Sequence, residues 1–207
     1  MASGYRIPGG RHRVEDRIRR SRFITTVDHA PTVEIARAFI EAIRGEFPDA
    51  SHHCWAYVVG PPGSTAQVGM SDGGEPHGTA GRPMLQVLLH SGIGDIVAVV
   101  TRYFGGVKLG KGGLARAYRG GVQHALAGLP VAEKVEQALL QLTVDYTYVT
   151  PLQRLWPEHG AQVLEEHYGP QVRYRLQVPV GQVDALTRAV TELTHGRAHL
   201  RTEAGPP

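Results

Sequence analysis

The organisation of this chain is decided between Ser71 and Gly121. This stretch opens with Ser71-Asp-Gly-Gly-Glu-Pro-His-Gly-Thr-Ala-Gly-Arg-Pro and contains Thr101-Arg-Tyr-Phe-Gly-Gly-Val-Lys-Leu-Gly-Lys-Gly-Gly-Leu toward its end. Glycine allows the backbone to approach a partner closely or to adopt positive φ, and it weakens helices and strands. Glycine at this density therefore indicates two loops, the first and second glycine-rich segments, whose main-chain N–H groups form a surface.

An apolar helix and an apolar strand separate the two segments. Thr79–His90 is apolar at nearly every inner position, which predicts a helix buried against a sheet. Ile96–Tyr103 is typical of a strand buried on both faces. A further helix is predicted over Leu114–Ala127, although Gly120 and Gly121 each cost about 1 kcal/mol relative to alanine in mid-helix. The glycine pair therefore indicates close packing at that point.

The residues before the first segment predict two more strands, one more helix and a further short strand over Gln67–Met70. Residues 1–20 are rich in Arg, Gly and His and are interpreted as a loosely ordered, basic N-terminal arm. Phe23–Val27 is β-branched and aromatic, as strands are. Thr32 is placed to cap a helix that ends near Gly45–Pro48, and His53–Val59 predicts the next strand.

The pattern of apolar and polar residues changes between Leu129 and Glu136, which predicts a domain boundary. The N-terminal domain is expected to span residues 21–130 and the C-terminal domain residues 137–204. The C-terminal elements follow the order βαββαβ, which is the split-βαβ, ferredoxin-like arrangement. They are predicted over Ala138–Tyr146, Tyr148–His159, Ala161–Tyr168, Val172–Val178, Val180–His195 and Ala198–Glu203. The predicted fold class is therefore α+β, with two domains.

Composition limits the classes of function. The 207 residues are 42% hydrophobic and 20% charged, which excludes a disordered chain. The formal net charge of +3 is compatible with a nucleic-acid partner but does not require one. The single cysteine, Cys54, forbids an internal disulfide and favours a reducing compartment. Because no secretory signal and no bilayer-spanning apolar run is found, we expect a cytoplasmic protein without membrane or disulfide-linked partners.

The second glycine-rich segment matches part of a phosphate-binding loop. Gly105, Gly110 and Lys111 stand at the spacing G-x-x-x-x-G-K, after a predicted strand and before a predicted helix. Gly112 follows where Ser or Thr must bind Mg²⁺, so a true P-loop is not expected. A looser cradle remains, in which backbone N–H groups lead into a helix N-terminus that favours anions. Its glycines are Gly105, Gly106, Gly110, Gly112 and Gly113.

The same segment is basic and aromatic, with no acid between Arg102 and Arg119. Cations pair with phosphates and aromatic rings stack on bases, so this composition favours contact with single-stranded or looped RNA. The alternative is that Tyr103 and Phe104 end a buried strand, in which case alternation places one of them in the core. The candidate nucleic-acid or anion contacts are Arg102, Tyr103, Lys108, Lys111, Arg116 and Arg119.

The first segment holds acidic and histidine side chains whose roles the sequence leaves open. Asp72–Gly74 is a turn signature, and Thr79 is expected to cap the helix that follows. Glu75, His77 and Arg82 have no evident structural role and should face the second segment or solvent. The candidate functional loop consists of Asp72, Glu75, His77, Thr79 and Arg82. We expect the two loops to meet at one end of a sheet.

A metal or hydrolase centre is not expected from the polar residues His52, His53, Cys54, Asp72, Glu75 and His77. Metal sites need ligands at a fixed spacing, and neither paired histidines one helical turn apart nor Cys-x-x-Cys pairs occur. Alternation along a strand also separates His53 from His52 and Cys54. Nothing indicates an activated Cys54 thiolate. No catalytic residue, metal ligand or cofactor is therefore predicted.

Four motifs of this sequence resemble the YigZ/IMPACT family and its bacterial members. They are Ser21-Arg-Phe-Ile, His53-Cys-Trp-Ala-Tyr and the two glycine-rich segments, of which the second continues to Tyr118. The resemblance implies an N-terminal two-layer α/β sandwich, like the second domain of a small-subunit ribosomal protein. It implies a C-terminal domain like the fifth domain of elongation factor G. It implies no settled biochemical activity for bacterial members.

Together, the basic segment and the resemblance predict a non-enzymatic protein that associates with RNA or the ribosome and takes part in regulating translation. Its partners would be RNA, the ribosome or a protein of the translation machinery. One alternative is an enzyme or binding protein for a phosphorylated small molecule, which would use the glycine-rich loops. The other alternative is a protein-docking module that presents the ferredoxin-like sheet to a partner.

Overall fold

A five-stranded antiparallel sheet forms the centre of the N-terminal unit, which spans Tyr5–Lys134. The computed structural model describes residues 4–203, and the chain divides into this unit and a C-terminal unit that contains residues 135–203. Both units combine helices with a sheet. The predicted α+β class with two domains is therefore confirmed.

The N-terminal unit has seven strands and three helices, although the first residue of β1 and the last residue of β7 lie just outside its bounds. They are β1 (Gly4–Pro8), β2 (His12–Ile18), β3 (Ser21–His29), α1 (Val33–Glu46), β4 (His52–Val59), β5 (Gln67–Ser71), α2 (Gly81–Leu89), β6 (Ile96–Tyr103), α3 (Gly110–Ala127) and β7 (Val131–Val135). The five-stranded sheet has the order β2-β3-β6-β4-β5, and a separate two-stranded sheet consists of β1 and β7. Strand β6 therefore lies at the centre of the larger sheet.

Apolar residues on both sides of β6 explain why helices cover both faces of the sheet. Ile96, Ala98 and Val100 belong to the core that the sheet shares with α2 and α3. Val97 and Val99 belong to the core under α1. Strand β6 is therefore buried on both faces, as predicted. The two-layer arrangement implied by the resemblance describes the sheet with α2 and α3, and α1 adds a helix on the opposite face.

The C-terminal unit is a four-stranded antiparallel sheet with two α-helices. Its elements are β8 (Gln137–Val144), α4 (Val149–Glu158), β9 (Gln162–Tyr168), β10 (Val172–Pro179), α5 (Val183–Leu193) and β11 (His199–Thr202). The strand order β11-β8-β10-β9 with this connectivity is the ferredoxin-like topology. Leu140, Leu142 and Val144 alternate along β8 into a core with Trp156 and Leu186. The predicted ferredoxin-like arrangement is confirmed.

The prediction of a loosely ordered arm is wrong for residues 4–20, while residues 1–3 lie outside the described part of the chain. Strand β2 pairs antiparallel with β3 along its whole length and is an edge of the sheet. Val14 and Ile18 pack against the core, and arginines alternate with them at exposed positions. Every second residue of β2 is polar and exposed, as in an edge strand with one solvated face. The basic composition of this segment therefore led to the wrong prediction of an arm.

Close packing explains one glycine of the pair in α3. A Cβ at Gly121 would lie 2.7 Å from Thr25 Oγ1 of β3, so the helix approaches the sheet closely there. A Cβ at Gly120 would meet no atom within 4 Å. Helix α3 has 18 residues and begins at Gly110, one turn before the predicted start. Neither it nor any other helix within residues 4–203 is long and apolar enough to cross a membrane.

Candidate functional site

The two glycine-rich segments meet at one end of the five-stranded sheet and enclose a cleft of about 440 Å³, here called the junction cleft. Its lining residues are His52, Glu75, Pro76, Arg102, Phe104, Lys108, Leu109, Gly110, Lys111 and Leu114. The first segment contributes the acid, and the second contributes the cations and the aromatic ring. The cleft therefore combines side chains from both candidate loops.

A buried ion pair forms the floor of the junction cleft. Arg102 Nη1 donates to Glu75 Oε1 at 2.5 Å, and each side chain is 4% exposed. Tyr118 Oη donates to the same oxygen at 2.8 Å. Burial, together with Cys54 and Glu75, raises the pKa of Tyr118 far above its usual value, so this hydroxyl remains a donor. Glu75 thus has a structural partner, contrary to the expectation that it lacked a structural role.

Two phenylalanine rings enclose the guanidinium of Arg102. Its Cζ lies 5.2 Å from the centroid of the Phe23 ring and 5.4 Å from that of Phe104. A cation over an aromatic face is attracted to the electron-rich surface of the ring. Nη2 of Arg102 also donates to Ser21 Oγ at 3.2 Å. Arg102 is therefore held within the cleft floor and does not belong to the exposed basic surface that the sequence predicted.

Neither Tyr103 nor Phe104 is a core residue, so the expectation that alternation buries one of them is wrong. Tyr103 is half-buried, and its Oη donates to Asp49 Oδ1 at 2.8 Å. The guanidinium of Arg22 lies over its ring, 5.5 Å from the centroid. Phe104 is 48% exposed. Tyr103 is the last residue of β6 and Phe104 follows it, so the buried run of the strand ends at Arg102.

Asp72 caps helix α2, the role predicted for Thr79. Its carboxylate accepts hydrogen bonds from the backbone N–H groups of Gly78, Ala80 and Gly81, at 2.8, 3.0 and 2.9 Å. Burial alone would raise the pKa of Asp72, but these N–H groups and the nearby His77 lower it. Thr79 does not cap the helix, because Ala80 occupies the N-cap position and Thr79 Oγ1 donates to the Pro76 carbonyl at 2.6 Å.

The polar residues considered for a metal or hydrolase centre do not converge. His52 Nδ1 bonds to a carbonyl of the first segment at 3.0 Å, whereas His53 bonds to the Phe47 carbonyl from the other face of β4. Cys54 is buried and its Sγ–H donates to the Asp72 carbonyl at 2.9 Å. Burial raises the pKa of Cys54 to about 12, so it is a thiol at neutral pH. Residues 4–203 contain no group of three His, Cys, Asp or Glu side chains placed to hold a metal ion.

Helix α3 begins at the edge of the junction cleft without a side-chain cap. Leu109 occupies the N-cap position, and the first turn contains no acid. The loop before it turns through Gly106 and Gly110, whose φ values are +82° and +72°. A Cβ at Gly105 would lie 2.1 Å from the Arg20 carbonyl, so only glycine allows this close approach. The N–H groups at the helix start are therefore open to an anion.

Five cations lie in the loop before this helix, in its first two turns or in the neighbouring turn between β2 and β3, and make no ion pair within the described part of the chain. This basic rim consists of Arg19, Arg20, Lys108, Lys111 and Arg116, all of them exposed. Three of them were predicted as anion contacts from the sequence. Arg19 and Arg20 were missed because they form the turn between β2 and β3, which the sequence placed in an arm. Arg19 and Arg20 are distant from the second segment in sequence, and only the folded chain brings them beside it.

The remaining predicted site residues lie away from the junction cleft. Arg119 lines a groove between α2 and α3. Asp72, His77 and Arg82 line a separate cleft at the start of α2, and the His77 side chain is fully exposed. The predicted residues are therefore distributed over several surfaces, and Glu75 is the one member of the candidate functional loop that lines the junction cleft.

A buried polar cluster around Asp95 was not predicted from the sequence. The carboxylate accepts hydrogen bonds from Gly60 N, Tyr5 Oη and Lys134 Nζ, at 2.7, 2.9 and 2.6 Å. Burial alone would raise the pKa of Asp95, but these three partners lower it. Tyr5 lies on β1 and Lys134 on β7, so the cluster attaches the two-stranded sheet to the loop before β6.

Two domain families match the chain, one in each unit. The Impact N-terminal domain matches residues 19–126, which is more than half of the chain, and a domain of unknown function (DUF1949) matches residues 142–197. The chain belongs to the IMPACT family. The junction cleft and the basic rim both lie within residues 19–126, so the candidate site belongs to the Impact N-terminal domain.

Relatives of the IMPACT family match nearly the whole chain. It is 41% identical over 194 residues to IMPACT family member YigZ of Escherichia coli (strain K12), covering 94% of this chain and 95% of that protein. It is 42% identical over 193 residues to an IMPACT family member of Haemophilus influenzae, covering 93% and 94%. A crystal structure described as that of a hypothetical protein matches with a TM-score of 0.75 and 39% identity over 100% of both chains. The resemblance inferred from four motifs is therefore confirmed.

Proposed function

We propose that this IMPACT family protein is a non-enzymatic RNA-binding protein that associates with the ribosome and takes part in regulating translation. The observation that carries the proposal is the basic rim, five exposed cations around the uncapped N-terminus of α3. Phe104 is exposed beside it. Cations that contact phosphates and an aromatic ring that stacks on a base are the components of single-stranded and looped RNA binding.

The side chains near the cleft that are best suited to catalysis are already engaged in structural contacts, which supports binding over chemistry. Cys54 is a buried thiol that donates to a backbone carbonyl. Glu75 accepts hydrogen bonds from Arg102 and Tyr118 and is buried. Neither group is free to act as a nucleophile or base toward a molecule that arrives from solvent.

The ribosome is proposed as the place of binding because of the fold. The resemblance implies domains like those of a small-subunit ribosomal protein and of elongation factor G, which are components of the translation machinery. Fold likeness by itself does not define a function. The decisive measurement is therefore RNA binding by the basic rim.

Salt-dependent RNA binding tests the proposal. Affinity for a labelled single-stranded RNA is measured between about 50 and 200 mM salt for the wild type and for a rim variant. The rim variant carries Lys108→Ala, Lys111→Ala and Arg116→Ala. Since each phosphate contact releases counterions, loss of three contacts should reduce the slope of log K against log salt by about 2. Arg102 is left intact because its removal would leave the buried Glu75 carboxylate without its cation and destabilise the fold.

A matched control removes the same charge elsewhere. Its three substitutions lie at exposed positions of the C-terminal unit and are Arg154→Ala, Arg188→Ala and Arg197→Ala. The control should keep the wild-type slope, and equal slopes for the two triple variants would contradict the basic rim as the site. Salt-sensitive sedimentation of the wild type with ribosomes, lost in the rim variant, supports the ribosome as partner. Recovery of one protein and no RNA in a pull-down would overturn the proposal in favour of protein docking.

A further inference from the structure

We propose that the junction cleft binds one nucleoside monophosphate unit, with its phosphate at the N-terminus of α3 and its base against Phe104. This deepens the function proposed above and rests on it only for the source of the nucleotide, which is a residue of bound RNA or a free nucleotide. The shared chemistry is a phosphate ester joined to a flat aromatic base. Different residues of the cleft recognise the two halves.

The phosphate half of the site consists of the first turn of α3 and two lysines. The first N–H groups of a helix lack acceptors within the helix, and no side chain or acid of α3 compensates them. A Cβ at Gly110 would meet no atom within 4 Å, and one at Gly112 would come no closer than 3.8 Å to another residue, so there is open space beside these two residues of the first turn. Lys108 and Lys111 line the same cleft. Open N–H groups beside cations are the arrangement that binds phosphate.

Arg102 provides a second, independent observation that points to a ligand. Its side chain is 4% exposed and lines the cleft. Nη1 and Nη2 donate to Glu75 and Ser21, but Nε–H has no acceptor among residues 4–203. Buried polar groups are almost always hydrogen-bonded in native proteins. One buried donor beneath the cleft therefore has no acceptor within residues 4–203.

Phe104 provides the base half of the site. The ring is 48% exposed although it directly follows a buried strand, and the Arg102 guanidinium lies over it. Pro76, Leu109 and Leu114 line the same cleft and offer apolar contacts to a flat ring. Every base has a π-face that stacks on an aromatic side chain. The volume of about 440 Å³ also lies within the range of about 300–1,000 Å³ that small-molecule sites occupy.

Glu75 sets the orientation of the nucleotide because it is the single acid among the residues that line the cleft. Its Oε1 accepts from Arg102 and Tyr118, and its Oε2 lies 4.0 Å from His52 Nε2. An anion beside Oε2 would be repelled, whereas an N–H group of a base would be accepted. The phosphate therefore lies at α3 and the polar edge of the base lies toward Glu75.

Calorimetric titration with AMP and with its two halves, adenosine and ribose 5-phosphate, tests the assignment. Since each half contacts a different part of the cleft, the wild type should bind AMP at least about tenfold more tightly than either half. Phe104→Leu removes the stacking surface. It should weaken AMP binding about tenfold and leave the affinity for ribose 5-phosphate unchanged.

Gly112→Asp tests the phosphate half while preserving the fold. A side chain there has ordinary space, and an acid in the first turn of a helix is favourable, so the melting temperature should be unchanged or higher. The added carboxylate repels phosphate and should weaken AMP binding about tenfold. Gly120→Asp adds the same charge in mid-α3, where a Cβ meets no atom within 4 Å. This control should bind AMP as the wild type does.

The outcomes separate this proposal from the previous one. Equal AMP affinity in the wild type, Gly112→Asp and Phe104→Leu overturns the cleft assignment. Absence of AMP binding, with salt-dependent RNA binding intact, overturns the cleft assignment and leaves the RNA-binding function standing. AMP binding without RNA binding overturns the RNA-binding function and leaves the cleft assignment standing. Where both bind, displacement of a short labelled RNA by AMP identifies the nucleotide as part of RNA, and lack of displacement identifies a free nucleotide.

Discussion

Arg102 and Glu75 neutralise each other beneath the junction cleft, where each is 4% exposed. A buried charge is costly unless an opposite charge and hydrogen bonds compensate it, and hydroxyls of Ser21 and Tyr118 supply those bonds. Glu75 lies in the first glycine-rich segment, and Arg102 lies at the start of the second. The ion pair therefore holds the two loops together and gives the cleft its shape.

Arg102→Met should lower the free energy of unfolding by about 3–5 kcal/mol, because it leaves the Glu75 carboxylate buried without its cation. Adding Glu75→Gln to the same chain should recover part of this loss, since an uncharged amide is less costly to bury. Urea unfolding at neutral pH measures both variants. The control Lys111→Met, at an exposed position, should change stability by less than about 0.5 kcal/mol. A double variant no more stable than Arg102→Met would contradict this account.

The run of basic residues was predictable from the sequence, but the partner of Arg102 was not. Lys108, Lys111 and Arg116 are exposed and unpaired within residues 4–203, as the absence of acids between Arg102 and Arg119 suggested. Glu75 lies 27 residues from Arg102, and no local pattern connects them. The composition therefore identified a basic region. It did not show that one of its cations, Arg102, is neutralised by Glu75, because that pairing forms only in the folded chain.

Helix α2 begins at Gly81 because Asp72 reaches its first N–H groups from a turn eight and nine residues earlier. Local capping rules consider the residue immediately before the first turn, and they selected Thr79. A Cβ at Gly81 would lie 2.9 Å from the Ser71 backbone, so the helix also starts in close contact with β5. The turn of the first glycine-rich segment is therefore built around the Asp72 carboxylate.

Asp72→Ala should lower the free energy of unfolding by about 2 kcal/mol, because three backbone N–H groups lose their acceptor. Asp72→Asn should cost less, since its amide oxygen still accepts. Hydrogen exchange should accelerate in the first turn of α2, and urea unfolding gives the overall loss. Asp184→Ala removes an exposed acid from the first turn of α5 and should cost less than about 1 kcal/mol. Unchanged exchange at the start of α2 would refute the capping role of Asp72.

Elements with a clear apolar pattern or a capping residue in their own sequence were predicted well. Strands that form only by pairing with a distant strand were missed. Strand β6 spans Ile96–Tyr103 in both the prediction and the structure, and Thr32 caps α1 as expected, with its Oγ1 accepting from Ile35 N at 3.3 Å. Strands β1 and β7 form a two-stranded sheet separate from the large sheet. Strand propensity depends on neighbouring strands, so such a pair has little signal in the sequence.

At the scale of the molecule, the buried charges among residues 4–203 all lie in one unit. Glu75, Asp95 and Arg102 are buried in the N-terminal unit, whereas the buried polar residue among 135–203 is the neutral Thr194. Apolar alternation defines the core of the C-terminal unit, which is why its βαββαβ topology was predictable in full. The N-terminal unit depends on contacts such as Lys134 to Asp95, 39 residues apart, which only the folded chain brings together.

Acid should destabilise the N-terminal unit through Asp95. Burial alone would raise its pKa, but hydrogen bonds from Lys134, Gly60 and Tyr5 lower it below the ordinary value of 3.8. Because the pKa is lower in the folded state than in the unfolded state, the contribution of Asp95 to stability is fully present above that ordinary value. It is lost as the pH falls through the folded-state pKa.

The two tryptophans allow the Asp95 effect to be measured in the unit where it arises. Trp55 lies in the N-terminal unit and Trp156 in the C-terminal unit, so a Trp156→Phe background restricts the fluorescence signal to the N-terminal unit. In that background, Asp95→Asn should be less stable than its parent by about 2 kcal/mol at neutral pH, because Lys134 loses a charged partner. This difference should shrink once the pH falls below about 4, whereas the exposed control Asp184→Asn should show little difference from its parent throughout. A constant difference between parent and Asp95→Asn from neutral pH to about pH 3 would mean that Asp95 does not titrate with a lowered pKa.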